Sequence, residues 1–167
     1  YNYAGFLLSA SPYKMSQLEI SHIFYAYLLG TAASPIAGGL ADKLGRGPVL
    51  IAGTLLMAAG VVLTLFEPLA VIVTGVVLLT AGFFVAHSVA SGWVGRLAME
   101  SKGHASSLYL WSYYMGSSVL GAGAGWFWSR WGWSGVGSVA LLVLALVIAL
   151  ALRVQWLSVQ AAKGRLA

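Results

Sequence analysis

The stretch Gly38-Gly39-Leu40-Ala41-Asp42-Lys43-Leu44-Gly45-Arg46-Gly47-Pro48 is the one place where the chain gathers charge, glycine and proline between two long apolar runs. The run before it reads as a membrane-crossing helix and the run after it begins another. The chemistry in between is that of a very tight hairpin at a membrane surface. Glycine at 45 or 47 supplies the positive φ that ends a helix, and Pro48 suits the first turn of the next. Asp42 sits awkwardly, because a carboxylate at a helix C-terminus faces the negative end of the dipole. It calls for a partner, either the nearby Lys43 and Arg46 or the N-terminus of another helix.

Composition says which solvent the chain is built for. Of 167 residues, 60% are hydrophobic and 8% charged, and the mean hydropathy is +0.87. No soluble domain of this size hides so much apolar surface, so the solvent is a lipid bilayer. The isoelectric point of about 9.7 comes from cations scattered singly over loops, with no basic stripe for a groove, and nucleic acid is not expected as a partner. The absence of cysteine removes disulfides and thiolate metal sites. There is no phosphate loop, metal-ligand cluster or dinucleotide fingerprint, so neither a metal nor a cofactor is expected. The Gly121-Ala122-Gly123-Ala124-Gly125 run lies inside an apolar helix with no strand before it, which makes it a packing surface. Ser88 and Ser91 lie near His87 but lack a partner acid and oxyanion donors, so an intramembrane hydrolase, and an enzyme generally, is not expected.

Taken in order, the chain carries no cleavable signal pattern. Residues 1–10 are apolar but too short to cross, since a spanning helix needs about 20 residues. They read as the tail of a helix whose start lies upstream, which predicts a fragment of a longer protein. Pro12 marks a turn, and Ser16-Gln17-Leu18-Glu19 supplies a capping box with Ser16 as N-cap. Spans are expected at about 17–41, 49–66, 69–94, 105–127 and 136–152, with Pro35 kinking the first and the third longer than the hydrocarbon needs. Residues 153–167 form a short basic tail. Counting alternate loops, one side holds Lys43, Arg46, Arg96, Lys102, Arg153, Lys163 and Arg165, and the other only Lys14 and Arg130. By the positive-inside rule the Asp42 hairpin and the C-terminus are cytoplasmic. Trp126, Trp128, Trp131 and Trp133 cluster at the opposite face, where an aromatic belt anchors helices. The fold class is an all-α polytopic membrane protein of six helices, one of them truncated.

Gly38-x-Leu40-Ala41-Asp42-Lys43-x-Gly45-Arg46 resembles the loop motif of the major facilitator superfamily, G-x-L-a-D-[RK]-x-G-[RK]-[RK], with Gly47 in place of the last basic residue. Tyr1-Asn2-Tyr3-Ala4-Gly5, the Ala86-to-Trp93 run and the Ser106-to-Gly125 helix resemble the multidrug-efflux-like, drug:proton antiporter branch of its bacterial members. The resemblance covers nearly the whole chain. It implies the C-terminal six-helix half of a transporter working by alternating access, with an inverted three-plus-three repeat and a substrate site near the bilayer midplane. It further implies a multi-pass protein of the bacterial inner membrane, proton-coupled efflux, and an N-terminal six-helix half as partner. Gly38, Leu40, Asp42, Lys43, Gly45 and Arg46 would then form a conformational latch against that other half.

Small residues recur at one-turn spacing in Gly30, Ser34 and Gly38 and again in Ser117, Gly121 and Gly125, the usual device for close approach of helices in lipid. Two readings stay open: packing within this bundle, or surfaces that slide against the other half. Ionisable groups at depth are functional candidates by default, and His87 is the one such group here. It serves as a substrate contact or proton-responsive group, or it is a neutral imidazole bonded to a neighbour. Glu19, Asp42, Glu67 and Glu100 all fall at helix ends or in loops, so a proton-carrying carboxylate is expected in the other half. Hydroxyls and rings complete the candidate cavity: Asn2, Tyr3, Tyr27, Thr31, His87, Tyr113 and Ser117, with aromatic faces and few polar handles to suit a small amphipathic substrate. Tyr109 and Trp111 read as interface anchors, and Tyr114 belongs to the same ring-rich patch. A different class of function also fits the residues, a self-contained six-helix membrane protein acting as a dimeric channel or structural partner.

Overall fold

The computed structural model describes residues 1–164, with side-chain surroundings for residues 1–160. The expectations for Arg165 and for the side chain of Lys163 lie outside these residues. Six helical stretches are joined by very short turns: α1 (Ala4–Ser9), α2 (Gln17–Ser21), α3 (Ala26–Leu44), α4 (Arg46–Leu63), α5 (Leu69–Leu97) and α6 (Lys102–Gly164). The chain is an all-α, multi-pass membrane protein. Its backbone polar groups are met inside each helix, as lipid requires. Many large apolar side chains, Leu28, Leu108, Val119 and Leu142 among them, are exposed on its surface.

α2 begins on the Ser16 capping box: the Ser16 amide donates to Glu19 Oε2 at 2.7 Å and the Glu19 amide to Ser16 Oγ at 3.3 Å. A 3₁₀ turn over His22–Tyr25 then joins α2 to α3. Side chains three apart eclipse in such a turn, and the rings of His22 and Tyr25 stack with centroids 5.6 Å apart. The helical path Gln17–Leu44 is long and apolar enough to span a membrane. It continues through Pro35, which cannot donate to the Thr31 carbonyl.

The hairpin after α3 consists of one residue. Gly45 takes φ 90°, ψ 154° and α4 starts at Arg46, with Pro48 in its first turn. That backbone conformation is essentially reserved for glycine. α5 has 29 residues, about 43 Å at 1.5 Å per residue, against about 30 Å of hydrocarbon. α6 is two helices end to end: Gly132, at φ 57° and ψ −142°, breaks the α-helical path. Residues 102–131 form one arm and the rest a second arm that turns back, with Gly135 seated against the Phe127 carbonyl. The Trp133 indole donates to the Thr64 carbonyl at 2.7 Å, at the far end of α4. Gln155, late in the second arm, meets Gly47 at the near end. The two ends of the bundle are thereby distinct: Asp42, Arg46 and Arg96 meet at one, while Tyr13 bonds the Glu67 carbonyl at the other.

α4 and α5 are joined along their length by glycines spaced by seven. Gly53 faces Gly82 and Gly60 faces Gly75, antiparallel; a Cβ on Gly60 or Gly82 would lie 2.6 Å from the carbonyl oxygen of its opposite number. Lipid offers no hydrophobic reward for helix pairing, so contact of backbone on backbone supplies it. α3 packs on the same pair through Ala37, Ala41, Val49 and Val89. Leu8, Ile20 and Ile72 hold α1 and α2 to the opposite end of α5.

Candidate functional site

A cavity of about 510 Å³ opens between the three residues before α1, the helices α3, α4 and α5, and the two arms of α6. Its construction begins with successive tyrosines of the first turn. The Tyr1 hydroxyl bonds Thr80 Oγ1 in α5, and its ring lies against Phe24 and Tyr27 with centroids 5.6 and 5.2 Å away. Tyr3 points the other way, donates to the Gly121 carbonyl at 3.0 Å and stacks on Trp128. Asn2, between them, faces the cavity.

The opposite wall follows from helical spacing. Tyr113, Ser117 and Gly121 recur at four-residue steps along α6, which puts them on one face, and all three line the cavity. Tyr27 and Phe83 close its sides. Of the seven candidate residues read from sequence, the structure brings five together here: Asn2, Tyr3, Tyr27, Tyr113 and Ser117. Two lie elsewhere. Thr31 returns its hydroxyl to the Tyr27 carbonyl at 2.8 Å, the local bond that threonine in a lipid-facing helix commonly makes. His87 sits one layer below, between Phe83 and Tyr113 at ring separations of 5.3 and 5.0 Å. Its Nδ1 is 3.0 Å from the Tyr109 hydroxyl, so Tyr109 is tied to an imidazole. Ser88 instead reaches the Ser34 carbonyl at 3.4 Å.

The small residues divide by neighbour. Gly30 lies under the ring of Phe84; Gly121 and Gly125 lie under Asn2 and the Tyr3 hydroxyl; Gly38 has open space beside it. Three of these glycines therefore meet groups of this same bundle. Tyr1, Thr64, Thr80, Phe83 and Trp133 also line the cavity, a place that no sequence pattern marked for them. Sequence reading passed over the Gly53, Gly60, Gly75 and Gly82 set, whose seven-residue spacing was the available signal.

At the charged end, Asp42 accepts from Arg46 at 2.9 Å and from Arg96 at 3.3 Å. Arg46 is the i+4 neighbour expected of a helix end. Arg96 arrives from the end of α5, 54 residues along the chain, and no local pattern announces it. Its guanidinium answers the carboxylate that the α3 dipole disfavours. Gly38, Leu40, Lys43 and Gly45 flank the pair on α3 and its cap.

The family model of the Major Facilitator Superfamily matches residues 1–166. This chain belongs to that superfamily. Within it, the chain is similar to the inner membrane transport protein YnfM of Escherichia coli (strain K12), 50% identical over 121 residues that are 72% of this chain and 29% of that protein. It is similar also to the MFS-type transporter YybF of Bacillus subtilis (strain 168), 41% identical over 72% of this chain and 30% of that protein. A transporter of Buchnera aphidicola subsp. Baizongia pistaciae is 39% identical over the same shares. The matched region thus spans about three tenths of the length of these superfamily relatives. No solved structure matches the chain.

Proposed function

We propose that this chain is the C-terminal six-helix half of a secondary active transporter, which moves a small molecule across the bacterial inner membrane by alternating access. The observation that carries the reading is the half-built cavity: Asn2, Tyr3, Tyr27, Tyr113 and Ser117 converge on about 510 Å³ that is open on one side. An N-terminal half would close that side. Binding pockets for small molecules run to about 300–1,000 Å³, largely apolar with a few convergent polar groups. The names of the relatives support transport, and that of the Escherichia coli protein supports the inner membrane.

In this reading the two halves rock about the cavity. Asp42, held by Arg46 and Arg96 on a surface that stays exposed, latches one state against the other half, with Gly38, Leu40, Lys43 and Gly45 shaping the loop. The cation-rich end that carries Asp42 and the C-terminus faces the cytoplasm. Transport is efflux driven by protons. Glu19, Asp42, Glu67 and Glu100 all lie at or near helix ends, so the proton-carrying carboxylate belongs to the other half, and His87 adjusts the response. The test is transport by the full-length protein in vesicles, against a panel of drugs, sugars and metabolites under an imposed proton gradient. Gradient-dependent movement of at least one compound is expected. No movement of any compound in either direction would overturn the reading.

A further inference from the structure

The cavity has more polar groups than it has free ones, and the difference points to what it binds. Thr80 gives its hydroxyl to the Val76 carbonyl at 2.7 Å and accepts Tyr1; Thr64 gives its own to the Val61 carbonyl at 2.7 Å and is capped by Trp133. Tyr3 is committed to the Gly121 carbonyl. These groups hold the walls together and have little left to offer a ligand.

Four lining groups differ. The Asn2 carboxamide, the Tyr27 and Tyr113 hydroxyls and the Ser117 hydroxyl have no hydrogen-bond partner among the described residues. None is a buried orphan, and all four residues line the cavity. Together they supply donors and acceptors in about equal measure: an amide with both, and three hydroxyls that serve as either. No acidic, basic or histidine side chain lines this wall among the described residues. The remainder is aromatic and aliphatic, with the Tyr27, Phe83 and Tyr113 rings offering flat apolar faces.

We propose that this wall recognises an uncharged hydrogen-bonding edge, of the amide or hydroxyl kind, carried on a flat apolar body, through Asn2, Tyr27, Tyr113 and Ser117. A full charge on the ligand would find no counter-charge here and would lose hydration on entry. A neutral donor–acceptor edge loses little, because each bond it leaves in water is replaced. The inference rests on the transport reading above and adds to it the chemical class of the substrate.

The test uses the full-length protein, purified, and four probes on one ring system: 2-naphthamide, 2-naphthoate, 2-naphthyltrimethylammonium and 2-ethylnaphthalene. Binding is read from the fluorescence of the naphthalene ring. The amide is expected to bind more tightly than 2-ethylnaphthalene. Tyr27→Phe and Tyr113→Phe should each weaken the amide by about 2- to 12-fold, the range for one neutral hydrogen bond, and leave 2-ethylnaphthalene within twofold. Ser117→Ala repeats the test should either ring variant lose its thermal transition. Equal effects of the variants on amide and hydrocarbon, a larger effect of the variants on either charged probe than on the amide, or no binding of any probe would overturn the proposal. A protein that shows the expected binding pattern but carries nothing across vesicles would overturn the transport reading alone.

Discussion

Substituting Gly60 by alanine tests the principle that joins this bundle. The added Cβ would lie 2.6 Å from the Gly75 carbonyl oxygen and 2.8 Å from the Leu79 Cα. Both are backbone atoms, so no side-chain rotation relieves the clash. Relief to ordinary contact needs α4 and α5 to part by about 1 Å, which also loosens Gly53 against Gly82. Overpacking of this kind costs about 1–3 kcal/mol. Alanine recovers about 0.5–1 kcal/mol through its better helix propensity. Gly123→Ala is the matched control, since a Cβ there meets nothing within 4 Å and only the propensity gain remains. Equilibrium unfolding of the full-length protein in mixed micelles should therefore show Gly60→Ala less stable than Gly123→Ala by about 1–3 kcal/mol. A Gly60→Ala protein as stable as the Gly123→Ala control would show that the α4–α5 contact is not held by backbone proximity.

Further outcomes follow from single features. Gly45→Ala puts a side chain at φ 90°, ψ 154° and should cost about 1–3 kcal/mol in the same unfolding assay; Gly39→Ala, in open space on α3, should cost none of that strain. Asp42→Asn should lower initial transport rate more than the amount of inserted protein, and equal turnover per molecule would discard the latch. Its ion pairs are more than half exposed on the carboxylate side, so the stability change should stay below about 1 kcal/mol. His87→Ala should flatten the pH dependence of transport, and Tyr109→Phe, which deletes only the hydroxyl 3.0 Å from Nδ1, should alter the same profile; wild-type profiles in both would leave His87 a packing residue. Gly121→Leu should abolish transport while the protein still inserts, because the side chain would fill the space beside Asn2; unchanged transport would remove any role for that close approach.

Much of the architecture was legible because it is local. In lipid each span must satisfy its own backbone, so apolar length, Gly45, Pro48, Pro68 and the Ser16–Glu19 box mark helix limits without reference to other helices. One refinement, the 3₁₀ turn at His22–Tyr25, escaped because a short apolar run reads alike in either helical form. Tyr113 and Ser117, read as a ring and a hydroxyl of one helix, stand four residues apart and share the face of α6 that lines the cavity. Thr31, another hydroxyl read as a cavity group, lies outside the lining, and its hydroxyl goes to the Tyr27 carbonyl one turn back.

By itself the sequence determined the solvent, the helical fold class and a tight glycine turn beside Asp42, open between Gly45 and Gly47. Only the tertiary structure decided which side chains meet: Arg96 with Asp42, Tyr109 with His87, Gly60 with Gly75, and Trp133 with Thr64. Those pairings depend on the rotation and axial register of helices far apart in the chain. Side chains three or four apart on one helix are neighbours by geometry, whereas contact between helices is settled by which backbones approach closely enough for lipid to be excluded.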